Sequence, residues 1–568
     1  MSGDDSESAG RDGDRDRPSS RRRRRVALGA AVVLTAIVAA APTDGSLPTE
    51  GQYAIATMAF AAVLWITGAI PLSVTALLVP VLLTVFGVYP DLATPLAAFA
   101  DPVVFLLLSG FMLAAALQSH GIDRRLALAL VSRVGTSPRR LVLALMVATA
   151  VLSMAISNTA TTAMMVPIAL GIVTQVTGER PAPGRDGVDL AGPTPGVAPT
   201  STDSGTVATE DSTADDGVAD DGIDDDATPS NMQVVTLLGT AYAATVGGVG
   251  TLIGTPPNAI VAGQIEASLG ITVTFLDWLL VGLPLVTVAL PLTWYLLVRL
   301  YPPDAHDVAT ARAHAADRLD SVGPLRPAGR RTVAIFTLTA GLWLLGGFES
   351  LFESLLPASL FTTLFGGTGV NVFGTVGHQG LLYYVLAGMV AVVALVATGA
   401  ADWETLLDVD WGTLLLLGGG LSLADGLRDS GAIEWLATEG VAALGSVPVA
   451  VLVLAVVATT VSLGELASNT AMAAVLAPLL IAVGPTYAGQ LGVSDPLASV
   501  FLAVTVAVAA SFGFALPVAT PPNAIVYGSG AIGREHMLRA GVLLDAVMIL
   551  VVTAAAFVGL TVVLPFVF

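Results

Sequence analysis

Long apolar stretches recur along the chain, separated by short polar or arginine-bearing segments. A helix crossing a bilayer needs about 20 mostly apolar residues at a rise of about 1.5 Å each. Runs of that kind fall near residues 26–41, 52–69, 72–89, 103–118, 232–266, 275–298, 331–348, 380–398, 411–427, 497–531 and 541–563. The pattern predicts an all-α polytopic membrane protein with about eleven transmembrane helices.

Two further apolar stretches do not read as crossings. From Leu141 to Val176 no charge appears, but Ser157-Asn158-Thr159 sits in the middle; Val447 to Val483 repeats the arrangement with Ser468-Asn469-Thr470 and one nearby charge, Glu465. Each arm of the first stretch is about 15–17 residues, or roughly 25 Å as helix, short of a hydrocarbon core about 30 Å thick. Both are expected to be re-entrant hairpins. Non-helical backbone at membrane depth is tolerated only inside protein or beside a water-filled cavity, so each tip should line a site.

The hairpins are followed by Gly254-Thr255-Pro256-Pro257-Asn258-Ala259-Ile260 and by Ala519-Thr520-Pro521-Pro522-Asn523-Ala524-Ile525, in the same order. The interval from Ser157 to Thr255 exceeds that from Ser468 to Thr520 by 46 residues, close to the size of the Pro/Gly/Asp-rich segment 178–231. That segment reads as a disordered acidic insertion in the first half. Five full crossings separate the hairpins, and an odd number inverts the second repeat. Inverted repeats with interrupted helices meeting near the midplane are the pattern of secondary transporters.

Charge fixes an expected orientation. With a cytoplasmic N-terminus, the segments 1–25, 119–140, 177–231, 299–331 and 532–540 hold 8, 5, 2, 6 and 2 arginines, 23 of the 24, and only Arg428 falls elsewhere. This positive-inside bias places the C-terminus outside a cell membrane. Arg21 to Arg25 precede the first run, but the acidic stretch upstream favours a retained anchor over a cleaved signal. Only 12% of residues are charged against about 25% in soluble domains, which excludes an ordinary globular enzyme. The net charge of −20 and the absence of lysine suit a high-salt environment, where repulsion is screened. No cysteine, no histidine pair near the tips and no paired carboxylates leave an enzyme or a channel as poor readings, and nothing points to nucleic acid.

The breaks carry the candidate chemistry. Proline has no N–H, so Pro256 and Pro257 leave the carbonyls of Leu252 and Ile253 free, and Pro521 and Pro522 leave those of Pro517 and Val518 free. Free carbonyls suit a cation, while the helix that restarts after each Thr-Pro-Pro offers an N-terminal dipole and unpaired N–H groups to an anion. No Lys or Arg lies in either hairpin core or break. Neutralising a buried dianion therefore falls to bound cations and helix dipoles, which makes anion and cation binding mutually dependent.

The two Ser-Asn-Thr tips in register with two Thr-Pro-Pro-Asn breaks, together with Leu107-Leu108-Ser109-Gly110-Phe111 and Leu417-Gly418-Gly419-Gly420-Leu421, resemble the divalent-anion/sodium symporter (DASS) family over most of the chain. The resemblance implies a homodimer with scaffold and elevator-type transport domains, carrying Na⁺ with a small dianion. On that scheme residues 1–25 are a disordered cytoplasmic tail and 26–135 scaffold helices with an amphipathic helix. The first hairpin occupies 136–177 and the insertion 178–231, followed by a broken helix and its successor in 232–298. A cytoplasmic loop (299–330), second-half scaffold helices (331–446), the second hairpin (447–484) and the last broken helix and final helix (497–568) complete it. The resemblance implies sodium at Ser153, Ser157, Asn158 and Gly254, and at Gly464, Ala467, Asn469 and Ala519. It implies substrate contacts at Ser157, Asn158, Thr159, Ser468, Asn469, Thr470, Thr520 and Pro521. Gly464 stands where many relatives carry Thr, so it offers only a backbone carbonyl. A C4-dicarboxylate such as succinate, malate or fumarate is the expected substrate, with sodium-independent dicarboxylate exchange or sodium/sulfate symport as alternatives.

Plainer roles stand beside these. A serine in an apolar helix often bonds back to its own backbone, which is the ordinary expectation for an isolated Ser153. Glu465 is a proton or cation partner by position, or, as the favoured expectation, orders its tip through backbone N–H groups. Asp425 and Arg428 read as an interfacial pair, and Gly418 to Gly420 as close helix packing rather than a phosphate loop. Arg124, Arg125 and Arg133 among Leu126, Leu128, Leu130 and Val131 read as an amphipathic helix on the cytoplasmic face.

Overall fold

The computed structural model describes residues 18–42, 45–133, 137–177, 229–305, 308–444 and 447–562. The disorder expected of residues 1–17 and 178–228 lies outside the described residues. Residues 18–25, expected in the tail, form instead the first turns of α1 (Pro18–Ala40). Proline at a helix start gives up an N–H that has no partner there anyway.

The first half continues with α2 (Thr49–Thr67), α3 (Leu72–Val85), the short α4 (Ala93–Leu96) and α5 (Pro102–Ser119). The connector α6 (Ile122–Ser132) leads to the first hairpin, α7 (Pro138–Ser153) and α8 (Asn158–Thr177). Then come α9 (Asn231–Gly248), α10 (Pro256–Leu269), α11 (Phe275–Leu300) and a second connector, α12 (Ala309–Val322). The second half holds α13 (Pro327–Gly346), the short α14 (Glu349–Glu353) and α15 (Ala358–Phe365), α16 (Tyr384–Ala397), the short α17 (Trp403–Leu406), α18 (Trp411–Asp429) and α19 (Ala432–Leu444). It closes with the second hairpin, α20 (Val449–Gly464) and α21 (Asn469–Leu491), and then α22 (Asp495–Ala510), α23 (Pro521–Gly528) and α24 (Arg534–Val562).

The expected runs thus fall on helices, and the two longest, 232–266 and 497–531, are each broken in the middle. Three features depart from expectation. A two-stranded antiparallel ribbon, β1 (Gly366–Val370) and β2 (Val376–Gln379), interrupts the all-α pattern. Its glycines disfavour helix, and Asn371 Oδ1 closes the turn by accepting from the N–H groups of Phe373 (2.9 Å) and Thr375 (3.0 Å). α19 follows the left-handed Gly431 (φ 74°) as α6 follows Gly121 (φ 60°), giving the second half a connector helix of its own. Finally, α8 and α21 run 20 and 23 residues, longer than the arms expected, because α8 takes in the polar run from Asn158 and α21 continues past Val483 to Leu491. Among the described residues five helical runs are long and apolar enough to cross by themselves, including both of these.

Two apolar cores form, and neither coincides with a sequence half. One joins the first hairpin, α9 and α11 to α20 and α24; the other joins α2, α3, α5, α16 and α18 to α10 and α21. The broken first-half helix is therefore shared, α9 with one core and α10 with the other. Gly418 and Gly419 serve the packing expected of them: a Cβ at these positions would lie 2.5 Å from Phe99 Cδ1 and 2.6 Å from Ala76 Cβ.

Candidate functional site

The two breaks are built alike. Thr255 (φ −143°, ψ 143°) and Thr520 (φ −138°, ψ 150°) are the extended residues before α10 and α23. Among the described residues no N–H donates to the carbonyls of Leu252, Ile253, Pro517 or Val518, as the prolines require. The asparagine after each proline pair turns back as a clamp. Asn258 Nδ2 donates to the carbonyls of Thr251 (2.8 Å) and Gly248 (3.2 Å), and Asn523 Nδ2 to those of Leu516 (3.0 Å) and Gly513 (3.2 Å). Both asparagines are fully buried, and both Oδ1 atoms lack a partner. The sequence offered only their duplication as a signal of this role.

The first hairpin tip is seated on the first break. Ser153 Oγ lies 2.5 Å from Asn158 Oδ1 and 2.7 Å from the Ala244 carbonyl, so it does not bond back to its own helix. A Cβ at Gly248 would lie 2.2 Å from Asn158 Oδ1, and one at Gly254 would lie 2.5 Å from the Gly248 carbonyl oxygen and 3.0 Å from that of Ser153. Ser153, Asn158, Gly248 and Gly254 therefore come together with oxygens converging, the donor type a hard cation takes. Ser157 caps α8 through its Oγ, which accepts from Ala160 N at 3.3 Å, while Thr159 is exposed.

The second tip is seated differently. Asn469 Oδ1 would lie 3.1 Å from a Cβ at Gly464, and this buried oxygen has no partner. Ser468 caps α21 and Thr520 caps α23, accepting from Asn523 N at 3.3 Å. Ala467 and Ala519 are buried, whereas Pro521 is exposed. Glu465 accepts from backbone N–H groups, as expected, but from those of the break and not of its own tip: its two carboxylate oxygens accept from Ala515 N (3.0 Å) and Leu516 N (2.7 Å). Asp545 of α24, which the sequence did not single out, adds a bond from Phe514 N at 3.2 Å. Two carboxylates thus hold three consecutive N–H groups.

The halves interlock at these elements. α8, which begins at Asn158, packs on α23, and α21, which begins at Asn469, packs on α10. Gln264 Nε2 of α10 donates to the Ala474 carbonyl of α21 at 3.1 Å, and Tyr242 Oη of α9 donates to that of Phe514 at 2.8 Å. Asp425 and Arg428 pair at 3.0 Å on the surface. A cavity of about 370 Å³ between α11, α22 and α24 is walled mainly by apolar groups, with Asp277 and Thr505 among its lining, and contains none of the tip residues.

The sequence matches the family described as the sodium:sulfate symporter transmembrane region over residues 22–564. It is 32% identical over 504 residues to an uncharacterized transporter of Haemophilus influenzae, covering 89% of this chain and 90% of that protein. It is 30% identical over 514 residues to the sodium-dependent dicarboxylate transporter SdcS of Staphylococcus saprophyticus, covering 90% and 86%. The Neisseria gonorrhoeae protein MtrF is similar at 11% identity and a TM-score of 0.49, over 83% of this chain and 84% of that one, too low to align individual residues.

Proposed function

The chain belongs to the divalent-anion/sodium symporter family of sodium-coupled anion transporters, and on that premise we propose that it imports a small divalent anion, a C4-dicarboxylate such as succinate, malate or fumarate, together with Na⁺. The observation that carries the reading is the doubled arrangement of a carboxamide oxygen beside a break with free carbonyls, with no Lys or Arg at either tip. Sodium in each half supplies the positive charge that a buried dianion requires. Ser153, Ser157, Asn158 and Gly254 hold one ion, and Gly464, Ala467, Asn469 and Ala519 the other. The Ser-Asn-Thr tips with Thr520 and Pro521 face the substrate.

Alternating access then follows from the inverted repeats: a transport domain of hairpins and broken helices moves elevator-fashion against a dimeric scaffold, across eleven crossings with the N-terminus cytoplasmic. The dicarboxylate named for SdcS favours this substrate over sulfate. Succinate accumulation in proteoliposomes driven by an inward Na⁺ gradient tests the reading. Uptake that ignores the gradient but requires a preloaded dicarboxylate means exchange, and stronger competition by sulfate than by unlabelled succinate means sulfate symport.

A further inference from the structure

The connectors α6 and α12 pack on each other and on α8, and enclose a cavity of about 340 Å³. Its three polar lining residues are all basic or basic-capable: Arg124 of α6, and His314 and Arg318 of α12. The other walls are apolar, among them Leu128, Met164 and Ile172. Among the described residues no carboxylate pairs with Arg124 or Arg318. Asp123 does not line the cavity; its Oδ1 accepts from Arg124 N at 2.7 Å. Arg125, by contrast, is engaged, donating to the carbonyls of Val322 (3.2 Å) and Gly323.

Two unpaired guanidiniums over an apolar chamber, in a chain of net charge −20, call for an anion with a hydrocarbon body. We propose that this cavity binds one anionic phospholipid, its phosphate between Arg124 and Arg318 and an acyl chain along α8. Basic pockets between helices on the arginine-rich side of a membrane protein take such headgroups. A free phosphate leaves the apolar walls uncovered, and so does the chain's own acidic segment 178–228, which is rich in Asp, Gly, Thr and Pro. Because α6 joins α5 to the first hairpin and α12 joins α11 to α13, the bound lipid ties these four elements together.

Native mass spectrometry of the full chain with dioleoylphosphatidylglycerol, set against phosphatidylcholine, tests the site without reference to transport. The wild type should retain one phosphatidylglycerol and gain thermal stability from it, by linkage, while R124Q/R318Q loses at least about tenfold of that retention by losing two charge-assisted bonds. R312Q/R330Q, which removes two charges elsewhere, should retain the lipid. Gly171 lines the cavity, and a Cβ there meets nothing within 4 Å, so G171L puts bulk into the chamber from an open position and should also abolish retention. Equal retention by wild type, R124Q/R318Q and G171L overturns the proposal. Displacement by millimolar inorganic phosphate overturns it in favour of a free anion, and retention seen only after deletion of residues 182–226 overturns it in favour of the acidic segment.

Discussion

The two halves carry the same motifs but hold them by different chemistry. In the first, hairpin and break are pressed together through glycines: Gly247, Gly248 and Gly254 leave no room for a Cβ, and a serine hydroxyl reaches the carboxamide oxygen of Asn158. In the second, Gly464 replaces that serine, Asn469 Oδ1 is left without a partner, and carboxylates from Glu465 and Asp545 hold the break. The first tip and break are thus held by packing, and the second break by carboxyl groups. The difference teaches that duplicated motifs preserve the placement of oxygens and not the means of keeping them there.

The largest effects should come from one methyl group on each side. Gly248→Ala places a Cβ 2.2 Å from Asn158 Oδ1, and overpacking of at least about 2–3 kcal/mol should abolish succinate uptake. Gly513→Ala meets nothing nearer than 3.3 Å and should keep most of it. Next, Glu465→Ala strands two buried N–H groups and should cost about 3 kcal/mol in thermal unfolding, whereas Thr251→Val, which loses one hydroxyl bond to the Met154 carbonyl, should cost about 1 kcal/mol. Equal losses would deny the charge-built second break.

Smaller effects sharpen the same contrast. Ser153→Ala should raise the sodium half-saturation about fivefold, the worth of one hydrogen bond of about 1 kcal/mol. Gly464→Ser returns a hydroxyl to Asn469 and should lower it by a similar factor; a rise in sodium half-saturation would show that the bare glycine is required. Arg428→Gln, at a half-buried pair outside both sites, should change stability by less than about 1 kcal/mol.

Much of this was legible in the sequence because a bilayer imposes length, and because proline deletes a donor wherever it stands. The helical runs and the breaks at Pro256 and Pro521 follow from those two facts, whereas arms expected to be too short to cross form α8 and α21, which are long enough. What escaped were contacts made at long range. Asp545 lies about 80 positions from Glu465 in an unremarkable apolar run, and only the fold brings both to the Phe514–Leu516 backbone. The clamp role of Asn258 and Asn523 depends on a turn that periodicity does not describe. The connector α19 had a signal in Gly431, matching Gly121, but its short apolar face looks like an extension of α18. The ribbon at 366–379 is set by glycines and an asparagine turn rather than by strand-like alternation.

On the proposed function, a cation in each half makes the buried dianion bearable. Succinate affinity of the purified protein measured across a sodium series, with choline keeping ionic strength constant, tests it most directly. Log affinity should rise with log sodium at a slope approaching about two, since linkage requires each bound ion to contribute one. A succinate affinity that stays flat as sodium replaces choline would contradict it.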